Sequence, residues 1–318
     1  MDLITIVIIF GVLVLVLVWL VSWLVEALRP MPHTPEAMPW DPSLEPAYVT
    51  VHGVNLRYLR VGDGPVLVLL HTLRTQLDLF HKVIPELARG FTVYAVDLPG
   101  HGYSDAPDGP YDADFFVSFV DGFLQELDLT DVTLAGVSIG ASISLIIAAR
   151  HSPRIVRVIP INPYDYDAGR GLARASLLGR VVMWLTPIPI VGETFMRLRN
   201  HFIIDSVLLG GVSDRGSICP SLLREMYLAG NRPGHYRGFV HLLRNASSWE
   251  RSRSEYGNID MPTLMIWGAA DWARPDERGV HESLVPGDVV SVEGGHFLPL
   301  DAPDDVVRHI QSAVRRGV

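Results

Sequence analysis

The chain opens on residues 3–25, an almost unbroken run of Leu, Ile and Val with Trp19 and Trp23 near its end. About 20 apolar residues cross a bilayer as a helix, and paired tryptophans suit the interface where it emerges. No basic stretch precedes the run, it exceeds the apolar core of a signal peptide, and no Ala-x-Ala-like site follows it. It therefore predicts an uncleaved transmembrane anchor over residues 1–29 rather than a cleaved leader. Proline then recurs at Pro30, Pro32, Pro35, Pro39, Pro42 and Pro46. Neither helix nor sheet propagates through such a segment, so residues 30–46 read as a fairly stiff linker.

Downstream the hydrophobic runs become short. Residues 48–51 and 54–61 flank His52-Gly53 and predict a hairpin, and 66–70 is continuously apolar, as in a strand buried on both faces. Runs at 91–96, 132–137, 155–161, 263–267 and 289–292 follow, with helical spacing between most of them. Strands alternating with helices predict an α/β fold with right-handed crossovers and a largely parallel sheet, to which the hairpin adds antiparallel strands at one edge. Between 162 and 256 the alternation stops and only helices and loops are expected. The chain thus divides into a core, residues 47–161 and 257–318, and a helical insertion, 162–256. Residues 177–209 of the insertion are notably apolar, which predicts packing against the core; a membrane-facing or lipid-admitting surface is the other reading.

Composition narrows this picture. At 318 residues the chain allows one large domain with an insertion, or two smaller domains. A net charge of -9 supplies no basic footprint for nucleic acid. Cys219 is the sole cysteine, which excludes a disulfide framework and a cysteine-based metal site. Of 12 histidines none falls in a His-Glu-x-x-His or similar spacing, so no metal or other cofactor is expected. Arg232, His235, Tyr236, Arg237, His241 and Arg244 cluster late in the insertion, either to meet an acidic substrate group or as a solvated helix face. Arg29, Arg57 and Arg60 follow the apolar run and only Asp2 precedes it, which leans towards a single-pass protein with a cytoplasmic domain. Oligomeric state is not readable from the chain.

Candidate chemistry lies in residues 131–150, where a β-prone run enters the turn Gly136-Val-Ser138-Ile-Gly140 and an Ala-rich helical segment leaves it. A serine at the apex of so tight a turn is pushed into strained backbone geometry, and its neighbours must lack bulk. The pentapeptide alone also fits a glycine-rich strand-to-helix loop. A nucleophilic serine needs a base to take its proton and a carboxylate to orient that base, in the chain order Ser, acid, His. Asp271 lies just past a strand ending at Gly268, and His296 lies on the loop Gly294-Gly-His-Phe before the last helix. They are the candidate acid and base. The amide of Ile139, directly after Ser138, is one candidate oxyanion donor.

These motifs, with the Asp-Leu-Pro-Gly-His-Gly-Tyr-Ser of residues 97–104, resemble the α/β-hydrolase family over nearly everything from Tyr48 onwards. The resemblance is to the serine-nucleophile branch with a helical cap, including esterases and ring-fission-product C–C hydrolases, and it makes the insertion a cap over the serine. It implies that Leu73 supplies the second oxyanion amide, that His71 is a structural neighbour, and that residues 97–104 follow the fourth strand. Thr72 departs from the family pattern, where glycine is usual. Its hydroxyl faces the pocket or ties the loop down, and Arg74 either pairs with a substrate carboxylate or is held by Asp78 or another loop carboxylate. Asp165 and Asp167 are rival acids, since some family members keep theirs after the sixth strand. Haloalkane dehalogenases and epoxide hydrolases of this fold carry an aspartate nucleophile, where this chain has Ser138.

The expectation is a membrane-anchored serine hydrolase of a carboxylic ester with a small acyl or lipid-like substrate, acting through an acyl-enzyme. A C–C bond hydrolase or acyltransferase on the same triad is the alternative. A non-catalytic membrane-anchored scaffold is the alternative of another class, against which the intact Ser, Asp, His order argues.

Overall fold

The computed structural model describes residues 2–315. Helix α1 (Leu3–Ala27) begins at Asp2, whose side chain caps the first turn by accepting from Thr5 N at 2.7 Å. The helix is apolar all round, and its most apolar window is wholly unburied. A helix with no polar face has no partner in water. Length and composition suffice for a membrane span.

Strands β1 (Ala47–Val51) and β2 (Val54–Val61) form the predicted hairpin, which joins one edge of an eight-stranded sheet. The remaining strands are β3 (Val66–Leu70), β4 (Thr92–Val96), β5 (Val132–Val137), β6 (Ile155–Ile161), β7 (Leu264–Gly268) and β8 (Asp288–Val292). Their spatial order is β1-β2-β4-β3-β5-β6-β7-β8, parallel from β4 onwards. Every residue of β4 and β5 is buried, as strands covered on both faces must be, which explains their continuous apolar runs.

Helices α2 (Ile84–Leu87), α3 (Ala113–Glu126) and α4 (Ile139–Ala149) fill the first crossovers. Every residue of α4 is buried, because its Gly, Ala and Ser positions let it lie against the sheet. The cap comprises α5 (Leu177–Leu185), α6 (Val191–Arg197), α7 (His201–Leu209), α8 (Pro220–Ala229), α9 (His235–Arg244) and α10 (Ser247–Ser252), with short 3-10 turns and no strand. The core then resumes with α11 (Pro275–Leu284), α12 (Leu298–Asp301) and α13 (Pro303–Arg315).

The proline-rich segment has no helix or strand, and part of it packs on the core. Met38 is buried in the core and Trp40 Nε1 donates to Asp78 at 3.0 Å. Proline forbids regular structure without forbidding packing. The apolar stretch 177–209 divides as well: Val182, Met196, Ile204, Val207 and Leu208 are buried, whereas Leu177, Trp184, Ile190 and Phe202 are exposed.

Candidate active site

Ser138 sits between the end of β5 and the first residue of α4, at φ 59°, ψ −115°. A non-glycine residue at positive φ is strained, at a cost of about 1–3 kcal/mol, and persists only where its surroundings over-determine it. Here the glycines do so. A Cβ at Gly136 would lie 2.2 Å from Gly140 O, and one at Gly140 would lie 2.3 Å from Leu70 O. Only a residue without a side chain at each position lets α4 start so close to β3 and β5. As the first helical residue, Ile139 has an N–H with no intrahelical acceptor, directed towards the serine end of the helix.

His296 follows β8, and its ring nitrogens have different surroundings. Nδ1 lies 2.5 Å from Asp271 Oδ1, and both side chains are fully buried. The other carboxylate oxygen, Oδ2, accepts from Ala273 N at 2.9 Å. An ionised carboxylate only accepts, so Nδ1 carries the proton and Nε2 presents a lone pair. Nε2 and Ser138 Oγ are both buried without a hydrogen-bond partner among the described residues.

The rival acids are committed elsewhere. Asp165 Oδ1 pairs with His281 Nε2 at 2.5 Å and its other oxygen accepts from Tyr256 OH, while Asp167 pairs with Arg174 at 2.9 Å. Geometry therefore singles out Asp271 as the carboxylate on His296.

The loop after β3 is pinned by its own polar groups. His71 Nε2 accepts from Leu98 N at 2.9 Å, so Nδ1 is the protonated nitrogen and donates to Thr72 O at 2.7 Å. Burial pushes His71 down to about 3, so it stays neutral and holds this arrangement at any physiological pH. Thr75 Oγ1 donates to Thr72 O at 2.8 Å and accepts from Thr72 N at 3.2 Å. Leu73, between Thr72 and Thr75 in the chain, is buried. Threonine is tolerated at position 72 because positive φ falls two residues later, at Arg74 (φ 56°). Thr72 Oγ1 is buried without a hydrogen-bond partner among the described residues.

The expectation that Asp78 or another loop carboxylate holds Arg74 is not met. Asp78 is taken by Arg57 at 3.0 Å, Gln76 at 2.7 Å and Trp40. Arg74 instead reaches Gly230 O at 3.4 Å and stands 5.6 Å from the Phe239 ring centre. Burial, with Arg199 and Arg29 nearby, pushes its guanidinium down to about 9. The basic cluster of α9 is largely structural: His235 lies between Ala229 O and Ser104 O, His241 meets Gly109 O, and Arg244 pairs with Glu193 at 2.6 Å.

Two residues that sequence reasoning passed over complete the site. Asn162, at φ 49°, donates to Gly295 O and His296 O at 3.1 and 3.0 Å and accepts from Gly268 N at 2.7 Å, tying the His296 loop to the end of β7. Asn is among the few residues that enter left-handed backbone readily, a weak signal visible in the sequence. Trp272 stacks on the His296 ring at 3.8 Å and 14°, and its Nε1 donates to Gly210 O in the cap at 2.9 Å. It links the cap to His296. Ser138 and His296 have no exposed surface beneath the cap. No group of His, Cys, Asp or Glu among the described residues has metal-ligand geometry.

The family model of the alpha/beta hydrolase fold matches residues 65–184. An uncharacterised protein of Mycobacterium tuberculosis is 27% identical over 271 residues, 80% of this chain and 76% of its own. Haloalkane dehalogenase 1 of the same organism is 29% identical over 291 residues, 84% and 92% of the two chains. Among solved structures, the enol-lactonase from Burkholderia xenovorans superposes with a TM-score of 0.69 at 22% identity, over 85% of this chain and all of that one. The chain has the α/β-hydrolase fold. Its hydrolase relatives support a hydrolase.

Proposed function

We propose that the protein is a membrane-anchored serine hydrolase that cleaves a carboxylic ester, with Ser138 as nucleophile, His296 as base and Asp271 as the acid that orients it. The observation that carries this reading is the pairing state of the site. His296 Nδ1 is held by Asp271 at 2.5 Å, while His296 Nε2 and Ser138 Oγ, between which a proton must pass, are both buried without a partner among the described residues. Leaving buried polar atoms unpaired costs stability, and a scaffold gains nothing from it.

In the first step Nε2 takes the Ser138 proton as Oγ attacks the substrate carbonyl, and the oxyanion accepts from the amides of Ile139 and Leu73. The buried Thr72 hydroxyl, which has no partner among the described residues, is assigned here as a third donor. His296 returns the proton to the leaving alkoxide, giving the alcohol and an acyl-Ser138 ester. Water then attacks the acyl carbonyl, losing its proton to Nε2, and the acid departs as Oγ is reprotonated. A lactone is itself an ester, so the likeness to an enol-lactonase supports this class. Ser138 separates the chain from dehalogenase relatives, whose branch uses an aspartate nucleophile. C–C hydrolysis or acyl transfer would use the same triad with a different leaving group or acceptor.

Helix α1 holds the protein at the membrane as a single span. Arg29 just after the span supports a cytoplasmic position for the catalytic domain. The test is fluorophosphonate labelling of membranes carrying the protein, followed by a series of p-nitrophenyl esters of rising chain length. Labelling at Ser138 with turnover supports the proposal. An unlabelled Ser138 and no ester turnover would leave the scaffold reading.

A further inference from the structure

The α5–α6 connection carries an apolar tip. Trp184 and Ile190 are 72% and 68% exposed, and Ile188, Pro189 and Val191 beside them are exposed too. Ile190 stands at φ 67°, ψ −47°. A β-branched residue at positive φ is a genuine outlier, and exposing it to water adds a second cost. Strain at an exposed apolar residue points to a surface that is not in water when the protein works.

The position of α6 says what that surface meets. Arg197, at the C-terminal end of α6, donates to Ser22 Oγ at 3.0 Å and lies 4.1 Å from the Trp23 ring centre. Arg199, two residues on, pairs with Glu26 at 2.8 Å. Arg197 O also accepts from Arg29 Nη2 at 2.5 Å, so the C-terminal end of α6 is docked on the last turns of α1, where the apolar run ends. Six residues of helix, about 9 Å, separate Val191 from Arg197, which keeps the apolar tip close to that end of the run. Arg170 and Arg180 share an open groove with Trp184, where guanidiniums would meet lipid phosphates at the level of an interfacial tryptophan.

We infer that residues 184–191 of the cap form a wedge that inserts into the lipid interface beside α1, so that the cap over Ser138 is seated on the bilayer. The inference rests on α1 as a span and goes beyond it, since an anchor by itself places no constraint on the cap. A substrate leaving the bilayer at this point would meet the cap first.

The test uses the full chain in phosphatidylcholine–phosphatidylglycerol vesicles with Cys219→Ser, Ile190→Cys and an environment-sensitive fluorophore on the new thiol. Val280→Cys, an exposed position on α11, is the comparison. Ile190 is exposed, so neither substitution disturbs the core. The label at 190 is expected to emit at shorter wavelength, to be quenched by lipids with a nitroxide near the headgroup, and to resist aqueous iodide. The label at 280 is expected to show the reverse. Equal iodide quenching at 190 and 280, in protein that survives a carbonate wash, overturns the wedge and leaves the anchor standing. Release by carbonate overturns both.

Discussion

Glu26, at the end of the apolar helix, and Arg199, in the cap, form an ion pair at 2.8 Å in which the guanidinium is almost completely buried. Glu26 also pairs with Arg29 at 2.9 Å, and Arg29 donates to Tyr227 OH at 3.0 Å and to Arg197 O at 2.5 Å. The last turns of α1 are thus part of the cap's structure, besides belonging to the proposed anchor.

Two truncations separate these roles. A chain beginning at Trp19 keeps Ser22, Trp23, Glu26 and Arg29 and is expected to melt near the full-length temperature. A chain beginning at Met31 leaves Arg199 buried without its carboxylate, which costs about 3 kcal/mol and lowers Tm by on the order of 5–10 °C. Differential scanning fluorimetry in detergent measures both. Equal melting of the two would show that the docked turns contribute nothing.

Ser138→Gly removes the nucleophile and relieves the strained backbone together. Turnover is expected to fall to the small residual rate that oxyanion donors and binding sustain, while stability rises by about 1 kcal/mol. Ser138→Ala loses the same activity without the gain, because alanine keeps the Cβ. Near-wild-type hydrolysis by either variant would remove Ser138 from the mechanism.

Thr72→Val keeps the shape and deletes a buried hydroxyl that has no partner. The expected variant is more stable by about 1 kcal/mol. Its kcat is expected to fall with KM unchanged, by up to about 100-fold if the hydroxyl donates to the oxyanion. A lower Tm with unchanged kinetics would make Thr72 a loop brace.

Asp271→Asn and Asp165→Asn distinguish two buried carboxylate–histidine pairs. The first is expected to lower kcat by about 10⁴-fold through the wrong His296 tautomer, the second to leave kcat within about threefold and lower Tm instead. A larger kcat loss at Asp165 would move the acid there.

The Asp165–His281 pair also sets a pH dependence. Burial alone pushes His281 down, but the charge and hydrogen bond of Asp165 outweigh it and leave it raised above 6.5. Burial likewise pushes Asp165 up, and the charge of His281 with the hydrogen bonds of His281 and Tyr256 leaves it below 3.8. A raised histidine stabilises fully below its unfolded pKa and loses that contribution as pH rises through the folded one. A depressed aspartate stabilises above its unfolded pKa and loses it as pH falls. The pair's contribution is therefore complete between about pH 4 and 6.5 and declines on either side. Tm against pH is expected to show this plateau in the wild type, and the difference from Asp165→Asn to be greatest within it. A pH-independent difference would contradict the assignment of charge.

Several features were legible because each depends on residues adjacent in the chain. The strands from β3 to β8 follow short, largely apolar runs, the long apolar helix follows from residues 3–25, and the serine turn follows from the spacing of Gly136, Ser138 and Gly140. Steric exclusion at a tight turn is a local matter. The choice of Asp271 over Asp165 and Asp167 was not local, since all three lie just past strand ends in a sheet of the same polarity. Only the packed structure shows that Asp165 is taken by His281 and Tyr256.

The sequence by itself determined the α/β architecture, the apolar helix and the identity of the candidate nucleophile, because backbone sterics and hydrophobic periodicity act over a few residues at a time. Tertiary structure decided which carboxylate meets His296, that Asn162 and Trp272 hold its loop and ring, that Arg74 has no loop carboxylate, and that Glu26 reaches into the cap to Arg199. Those outcomes depend on distances between residues as far as 173 positions apart. Such distances are fixed only when the sheet, the cap and α1 are packed together.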